Sequence, residues 1–244
     1  MRLQFLGTGG FYANERRQTA SLLLPEIGVA FDAGSGFFRV PKLLQTPQLD
    51  VFLTHAHLDH VCGLTAILMP MLREEISPVR IHGNQQTLDA VRTHLLAREL
   101  FPIEPQFEWR ALSESVPVPD GGLLTWHELE HPGGSLGFRI DWPDRSLAYI
   151  TDTSAPGRYA EFVRGVSLLV HECYFPDELS DWAITTGHSS ASAVAQLARA
   201  AGVGQLVVVH VDPQRADDDP IGLAHIQNIF PNATLAEDLE ELDF

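Results

Sequence analysis

Cysteine and lysine are almost missing from this chain of 244 residues, which has two cysteines and a single lysine, Lys42. Two cysteines, Cys62 and Cys173, make no disulfide framework, and a reducing, cytoplasmic compartment is the expected home. No apolar run approaches the roughly 20 residues of a membrane-spanning helix, so no membrane partner is expected. The opening MRLQFLGTGG reads as a short strand and a glycine turn rather than a basic-then-apolar leader, so no secretory signal is expected. The formal net charge is −16, and Arg16-Arg17 is the only adjacent basic pair. Proteins that grip long nucleic acid usually carry a basic stripe or tail. This balance suits a small substrate or bound divalent cations better.

Short β-like runs recur along the whole length: 3–7, 21–25, 29–34, 51–55, 79–83, 124–131, 136–142, 146–152, 167–175 and 205–212. Each is rich in Val, Ile, Leu, Phe or Tyr and ends near Gly, Pro, Asp or His. Between them, 63–75, 84–100 and 190–202 space their apolar residues three and four apart, as helices do, and Asp219-Pro220 predicts the start of a shorter helix. DGG at 120–122 predicts a hairpin turn. No repeat or linker divides the chain, so a single α/β domain over 1–244, built as a layered sandwich of two sheets, is expected. The acidic tail LAEDLEELDF reads as a solvated amphipathic end.

Four of these buried-looking runs finish on a metal-capable side chain: VFLTH on His55, LTWHELEH on His131, SLAYITD on Asp152 and QLVVVH on His210. Ligands of α/β sheets gather beyond the carboxyl ends of strands, where loops project from a rigid core. THAHLDHVCG, 54–63, adds further donors as His55-x-His57-x-Asp59-His60. In an extended chain His55 and His57 share a face and can grip one ion. Asp59 and His60 follow as the chain turns into a helix and point to a second position. Imidazole and carboxylate suit Zn²⁺, with Mn²⁺ or Fe as alternatives. Two such ions, roughly 3.5–4 Å apart, share a hydroxide and clamp an in-line displacement at phosphorus. Asp152 is the natural bridge, having an oxygen for each.

These motifs, with DTS at 152–154, GHSS at 187–190 and VVVHVDP at 207–213, resemble the metallo-β-lactamase fold. FLGTGG, FDAGSG (31–36), LLVHECYF (168–175) and GHSSA (187–191) are most similar to its ribonuclease Z and small-phosphodiesterase branch. The resemblance covers nearly the whole chain and implies a four-layer αββα sandwich of two mixed sheets. It also implies that His55, His57 and His131 bind one metal and Asp59, His60 and His210 the other, with Asp152 bridging. The family's GHS histidine makes His188 the catalytic candidate, donating a proton or hydrogen bond to the phosphate or leaving group. Glu172 is a candidate to orient it, although His171 and Glu172 also read as strand-end residues with structural partners. Asp59 is expected to serve twice, as ligand and as orienter of the hydroxide. Arg16 and Arg17, in the loop after FLGTGG, are candidates to reach a phosphate. The remaining histidines, His82, His94, His127 and His225, read as structural, and Cys62 as a spectator thiol.

The expected function is a dinuclear metal-dependent phosphodiesterase acting on a small cyclic phosphate or nucleotide diester through the shared hydroxide. The alternative is a ribonuclease Z-type endonuclease on precursor tRNA. Against it, His131 and Asp152 are only 21 positions apart, and the residues between them read as a hairpin where that family inserts its tRNA-binding arm. Carboxyl-ester, thioester or lactone hydrolysis is a further alternative, and a non-catalytic module is disfavoured by the complete ligand set. The family often forms dimers, so a homodimer is the expected assembly.

Overall fold

The computed structural model describes residues 1–155, 157–215 and 217–244. The chain forms two compact units, Met1–Glu114 with Glu237–Asp243, and Ser115–Ala236 with Phe244. The first contains β1 (Arg2–Gly7), β2 (Ser21–Leu24), β3 (Val29–Phe31), β4 (Leu49–Phe52), β5 (Val79–Gly83) and β6 (Glu108–Ala111). The second contains β7 (Val116–Val118), β8 (Gly122–Leu129), β9 (Ser135–Asp141), β10 (Ser146–Ile150), β11 (Leu168–Glu172), β12 (Gln205–Val209) and β13 (Ala233–Leu235). The last strand, β14 (Glu241–Asp243), returns to the first sheet.

Each unit builds a seven-stranded sheet, in the orders β14-β1-β2-β3-β4-β5-β6 and β13-β12-β11-β10-β9-β8-β7. In the first, the pairs from β14 to β3 are antiparallel and those from β3 to β6 parallel. The second has the same plan: β7 to β10 pair antiparallel and β10 to β13 parallel. The sequence shows no repeat, yet the pairing scheme is used twice. Two mixed sheets with helices are consistent with the expected αββα sandwich.

Parallel strands must be covered on both faces, so they read as continuous apolar runs. Accordingly Val51, Leu53 and Ile81 of the first unit pack with Leu64 and Ile67, and Ile150, Leu169 and Val208 of the second with Val194 and Leu197. The helical reading 190–202 becomes α-helix Ala191–Ala201, ended by Gly202 in the left-handed conformation. The reading 63–75 breaks into Leu58–Val61, a 3-10 stretch Cys62–Ile67 and Leu68–Leu72. The 84–100 reading becomes Gln85–Ala90 followed by a π-helical turn at Val91–Leu95. The hairpin at 120–122 forms between β7 and β8. Asp219 accepts from Leu223 N at 2.6 Å, but the helix starts only at Leu223 and its N-cap is Gly222, not Asp219.

The acidic tail corrects the reading of a solvated end. Glu241–Asp243 pair with Arg2–Gln4, and the Asp238 carboxylate accepts from Thr8 N (3.0 Å), Thr8 Oγ1 (2.8 Å), Gln18 N (2.8 Å) and Arg39 Nη1 (2.7 Å). A carboxylate so placed is part of the first unit's framework, since removing it strands several donors at once. Asp238→Ala should therefore destabilise the protein by about 3 kcal/mol, seen as a lowered urea midpoint with an unchanged slope.

Candidate metal centre

In the first unit the donors follow β4. Leu53, Thr54 and His55 are buried, and the chain then turns into the short helix Leu58–Val61. Asp32, just beyond β3, organises this turn. Its fully buried carboxylate accepts from Thr54 N at 2.8 Å, from Thr54 Oγ1 at 3.0 Å on each oxygen, and from His60 Nδ1 at 2.8 Å. Because Thr54 spends its hydroxyl proton on Asp32, its oxygen is left to accept from His55 Nδ1–H at 3.0 Å. Both histidines thus carry their proton on Nδ1 and keep a lone pair on Nε2, the arrangement of metal-ligating imidazoles. The His55 ring lies 4.4 Å from His57 and 4.2 Å from His60, centroid to centroid. Asp59 Oδ2 stands 3.3 Å from His60 Nε2 and accepts from Phe11 N at 2.8 Å.

Backbone-to-backbone fit locks this turn. Ala33 N donates to His60 O and Gly63 N to Ala33 O, both at 2.7 Å. A Cβ on Gly63 would stand 2.0 Å from the Gly34 carbonyl oxygen, so only glycine allows the approach. This is what FDAGSG and the glycine of HVCG do.

In the second unit the donors leave the strands earlier than the sequence reading had them. β10 stops at Ile150 and β12 at Val209 because Asp152 (φ 47°) and His210 (φ 61°) adopt left-handed backbone. His210 Nε2 lies 3.2 Å from Asp152 Oδ1, and His131 Nε2 lies 3.6 Å from Asp152 Oδ2. His131, two residues beyond β8, has its Nδ1 3.0 Å from Gly187 O, which again fixes the proton there. Asp152 therefore has a different imidazole at each oxygen.

His188 belongs to the same group: Asp152, His188 and His210 offer donor atoms within 4.8 Å of one another. It sits between the helix Ser180–Thr186 and the next helix, two residues before the N-cap Ser190, rather than in a helix's first turn. Its immediate influence is Glu172, whose Oε1 is 3.0 Å from His188 Nδ1. Glu172, the last residue of β11, is fully buried and also accepts from Thr153 N (2.8 Å), Tyr174 N (3.2 Å) and Ser189 N (3.2 Å). Tyr174 stacks on the His188 ring at 4.8 Å and 22°. The buried His171 is a brace: Nδ1–H donates to Glu172 O at 2.6 Å and Nε2 accepts from Tyr159 Oη at 2.7 Å. Burial holds its pKa below the ordinary histidine value and pushes the Tyr159 phenol well up, so both are neutral.

The two arginines stand differently. Arg17 is buried, donating to Thr8 Oγ1 at 2.5 Å and pairing with Glu237 at 2.7 Å, and burial lowers its pKa. Arg16 pairs with the same carboxylate at 2.7 Å but keeps 45% of its side chain exposed. Burial, then Asp59, raises the Cys62 thiol, and burial raises Cys173 well up, so neither is a ready thiolate. His82 pairs with Asp50 and stacks on Phe52, His127 stacks on Phe162, and His225 pairs with Asp177. Asp32 and Tyr174 were not foreseen as site residues; the aspartate inside FDAGSG was the one available signal.

Residues 29–211 match the model of the beta-lactamase superfamily domain. The chain belongs to that family. Within it the chain falls in the ribonuclease Z and small-phosphodiesterase branch. It is 34% identical to a ribonuclease Z of Parasynechococcus marenigrum (100% of this chain, 98% of the relative) and 26% identical to one of Methanosarcina acetivorans (100% and 98%). Among solved structures, its fold is similar to the metallo-β-lactamase fold protein YhfI of Bacillus subtilis (TM-score 0.83, 17% identity, 99% of both chains). It is also similar to the human short-form tRNase Z (0.79, 24%, 100% and 99%) and to a diphosphatase of the PhnP family (0.76, 19%, 100% and 98%).

The first unit gathers the candidate metal donors His55, His57, Asp59 and His60, and the second gathers Asp152, His188 and His210 with His131 beside Asp152, donor types suited to divalent metal ions. The protein is a metal-dependent hydrolase of this superfamily. Among the described residues, no helix is long and apolar enough to cross a membrane. The Asp32–His60 pair generates a test. Asp32→Asn should weaken Zn²⁺ binding about 10- to 100-fold, measured by competition with a chromogenic chelator, while circular dichroism stays unchanged.

Proposed function

We propose that the protein is a phosphodiesterase for small diesters, with His188 as the proton donor to the leaving oxygen. The observation that carries this reading is the His188–Glu172 pair beside Asp152 and His210: an imidazole backed by a fully buried carboxylate, next to ligand-type donors. Two divalent ions, Zn²⁺ by donor chemistry, would be held by His55, His57 and His131 and by Asp59, His60 and His210, with Asp152 serving both. When bound, they supply Lewis acidity toward a phosphoryl oxygen and acidify water to near neutral pH. The chain's own groups do the rest. Glu172 accepts from His188 Nδ1–H and supports the imidazolium, whose Nε2–H gives its proton to the leaving oxygen and leaves the ring neutral. Asp59, besides ligating, orients the attacking water. Arg16, the more exposed of the two arginines, contributes to phosphate binding; Arg17, engaged by Thr8 and Glu237, holds the loop that carries it.

The second reading, ribonuclease Z, is favoured by the relatives of that name. Two observations weigh against it. β9 and β10 are joined by the tight turn 142–145, closed by Trp142 N to Arg145 O at 2.9 Å, which leaves no arm between His131 and Asp152. The alignment to the Methanosarcina acetivorans ribonuclease Z spans 300 positions against 244 residues here, so at least 56 positions of it have no counterpart.

Chelator-sensitive hydrolysis of bis(p-nitrophenyl) phosphate by Zn²⁺- or Mn²⁺-loaded protein is the expected result. His188→Ala should retain both metals by elemental analysis and lose about 100-fold or more in kcat. Full activity in a metal-replete variant sinks the role given to His188. Absent diester turnover combined with salt-sensitive binding and cleavage of precursor tRNA would replace the first reading by the second.

A further inference from the structure

The loop after β1 presents two large rings to solvent: Phe11 is 67% and Tyr12 43% exposed, packed edge to face with centroids 5.3 Å apart. Such rings are normally buried, because leaving them wet forfeits much of their apolar area. Phe11 also adopts φ 60°, a conformation bulky residues avoid at a cost of roughly 1 kcal/mol. The loop is nevertheless well tied. Phe11 N donates to Asp59 Oδ2 at 2.8 Å, Tyr12 N to Gly10 O at 2.7 Å, and Asn14 Oδ1 accepts from Arg16 N and Arg17 N at 2.9 and 2.7 Å. The exposed pair is thus fixed one hydrogen bond away from a candidate metal ligand.

Charge adds a second consideration. Arg2, Arg39, Arg80, Arg110, Arg139 and Arg164 are all matched with carboxylates, and the chain carries −16 overall. A net charge of this sign does not draw in an anionic substrate by long-range attraction. Stacking of a base on an aromatic side chain supplies affinity without net charge and tolerates any base, since each has a π-face.

We propose that Phe11 and Tyr12 form a stacking platform for the nucleobase of a nucleotide diester. The proposal rests on the phosphodiesterase reading and deepens it by naming a nucleoside as the organic group of the substrate. Asp59 ties the platform to the reacting end, so base and phosphate are positioned by one loop.

The test compares thymidine 5′-(p-nitrophenyl phosphate) with methyl p-nitrophenyl phosphate as substrates of the metal-loaded protein. Wild type should prefer the nucleoside ester. Phe11→Ala and Tyr12→Ala should each reduce the ratio of the two kcat/KM values by about tenfold, and Phe11→Trp should preserve it. Calorimetry of AMP against ribose 5-phosphate supplies a readout independent of turnover: AMP should bind more tightly, and Phe11→Ala should remove most of the difference. Equal loss on both esters, or equal binding of AMP and ribose 5-phosphate by wild type, overturns the platform. Preferential AMP binding without turnover of either ester keeps the platform and discards the phosphodiesterase reading, so the two failures are distinguishable.

Discussion

Two carboxylates withdrawn completely from water, Asp32 and Glu172, set the terms for everything around them. An ionised carboxylate in the interior costs several kcal/mol unless its lone pairs are filled. Asp32 is filled by a backbone N–H, a hydroxyl and the His60 ring; Glu172 by three backbone N–H groups and the His188 ring. Except for Tyr174 N, the donors come from segments distant in sequence, so satisfying the carboxylate also pins the loops. The last donor in each set is an imidazole, held through its Nδ1. Desolvation of each acid therefore decides how one histidine ring is oriented.

The strand ends show the same economy in the backbone. Asp32, Asp152 and His210 all adopt left-handed conformations at φ 55°, 47° and 61°, each just after a strand of a parallel-paired segment. Asp and His tolerate that region better than most residues, and the strain is roughly 1 kcal/mol each. The buried polar contacts of Asp32 and Asp152 offset it. Because both sheets use one pairing plan, three antiparallel and three parallel pairs, the same kind of strand exit is available in each unit without any sequence repeat.

How much of this could be read from residues alone follows from range. His55, His57, Asp59 and His60 were legible because six residues hold them all, and the period of a strand and one helical turn dictate their directions. Asp152 and His210 were legible as the ends of apolar runs, though the last strand residues were misplaced by two or three positions, since periodicity carries no signal of a left-handed turn. Asp238 and Glu237 were invisible. An acidic tail has the composition of a solvated end, and only its long-range partners Thr8, Gln18, Arg16, Arg17 and Arg39 turn it into framework. Arg17 illustrates the same limit from the other side: beside Arg16 in sequence it looks equally available, yet one guanidinium is buried against a threonine and the other is not.

Chemistry and substrate choice separate along the same line. The residues that fix donors and protons lie at strand ends and in the turns stitched to them, where a missing methylene or an added Cβ, as at Gly63, breaks backbone contacts. The connections between strands answer to weaker constraints: the turn 142–145 joins β9 to β10 in four residues. A fold whose reactive core is over-determined by buried acids can lose or gain such segments without disturbing the chemistry. On the proposed reading, substrate choice falls to exposed loops such as the one carrying Phe11 and Tyr12, which a hydrogen bond ties to Asp59. Relatedness at 26–34% identity therefore fixes the type of reaction more firmly than the molecule on which it acts.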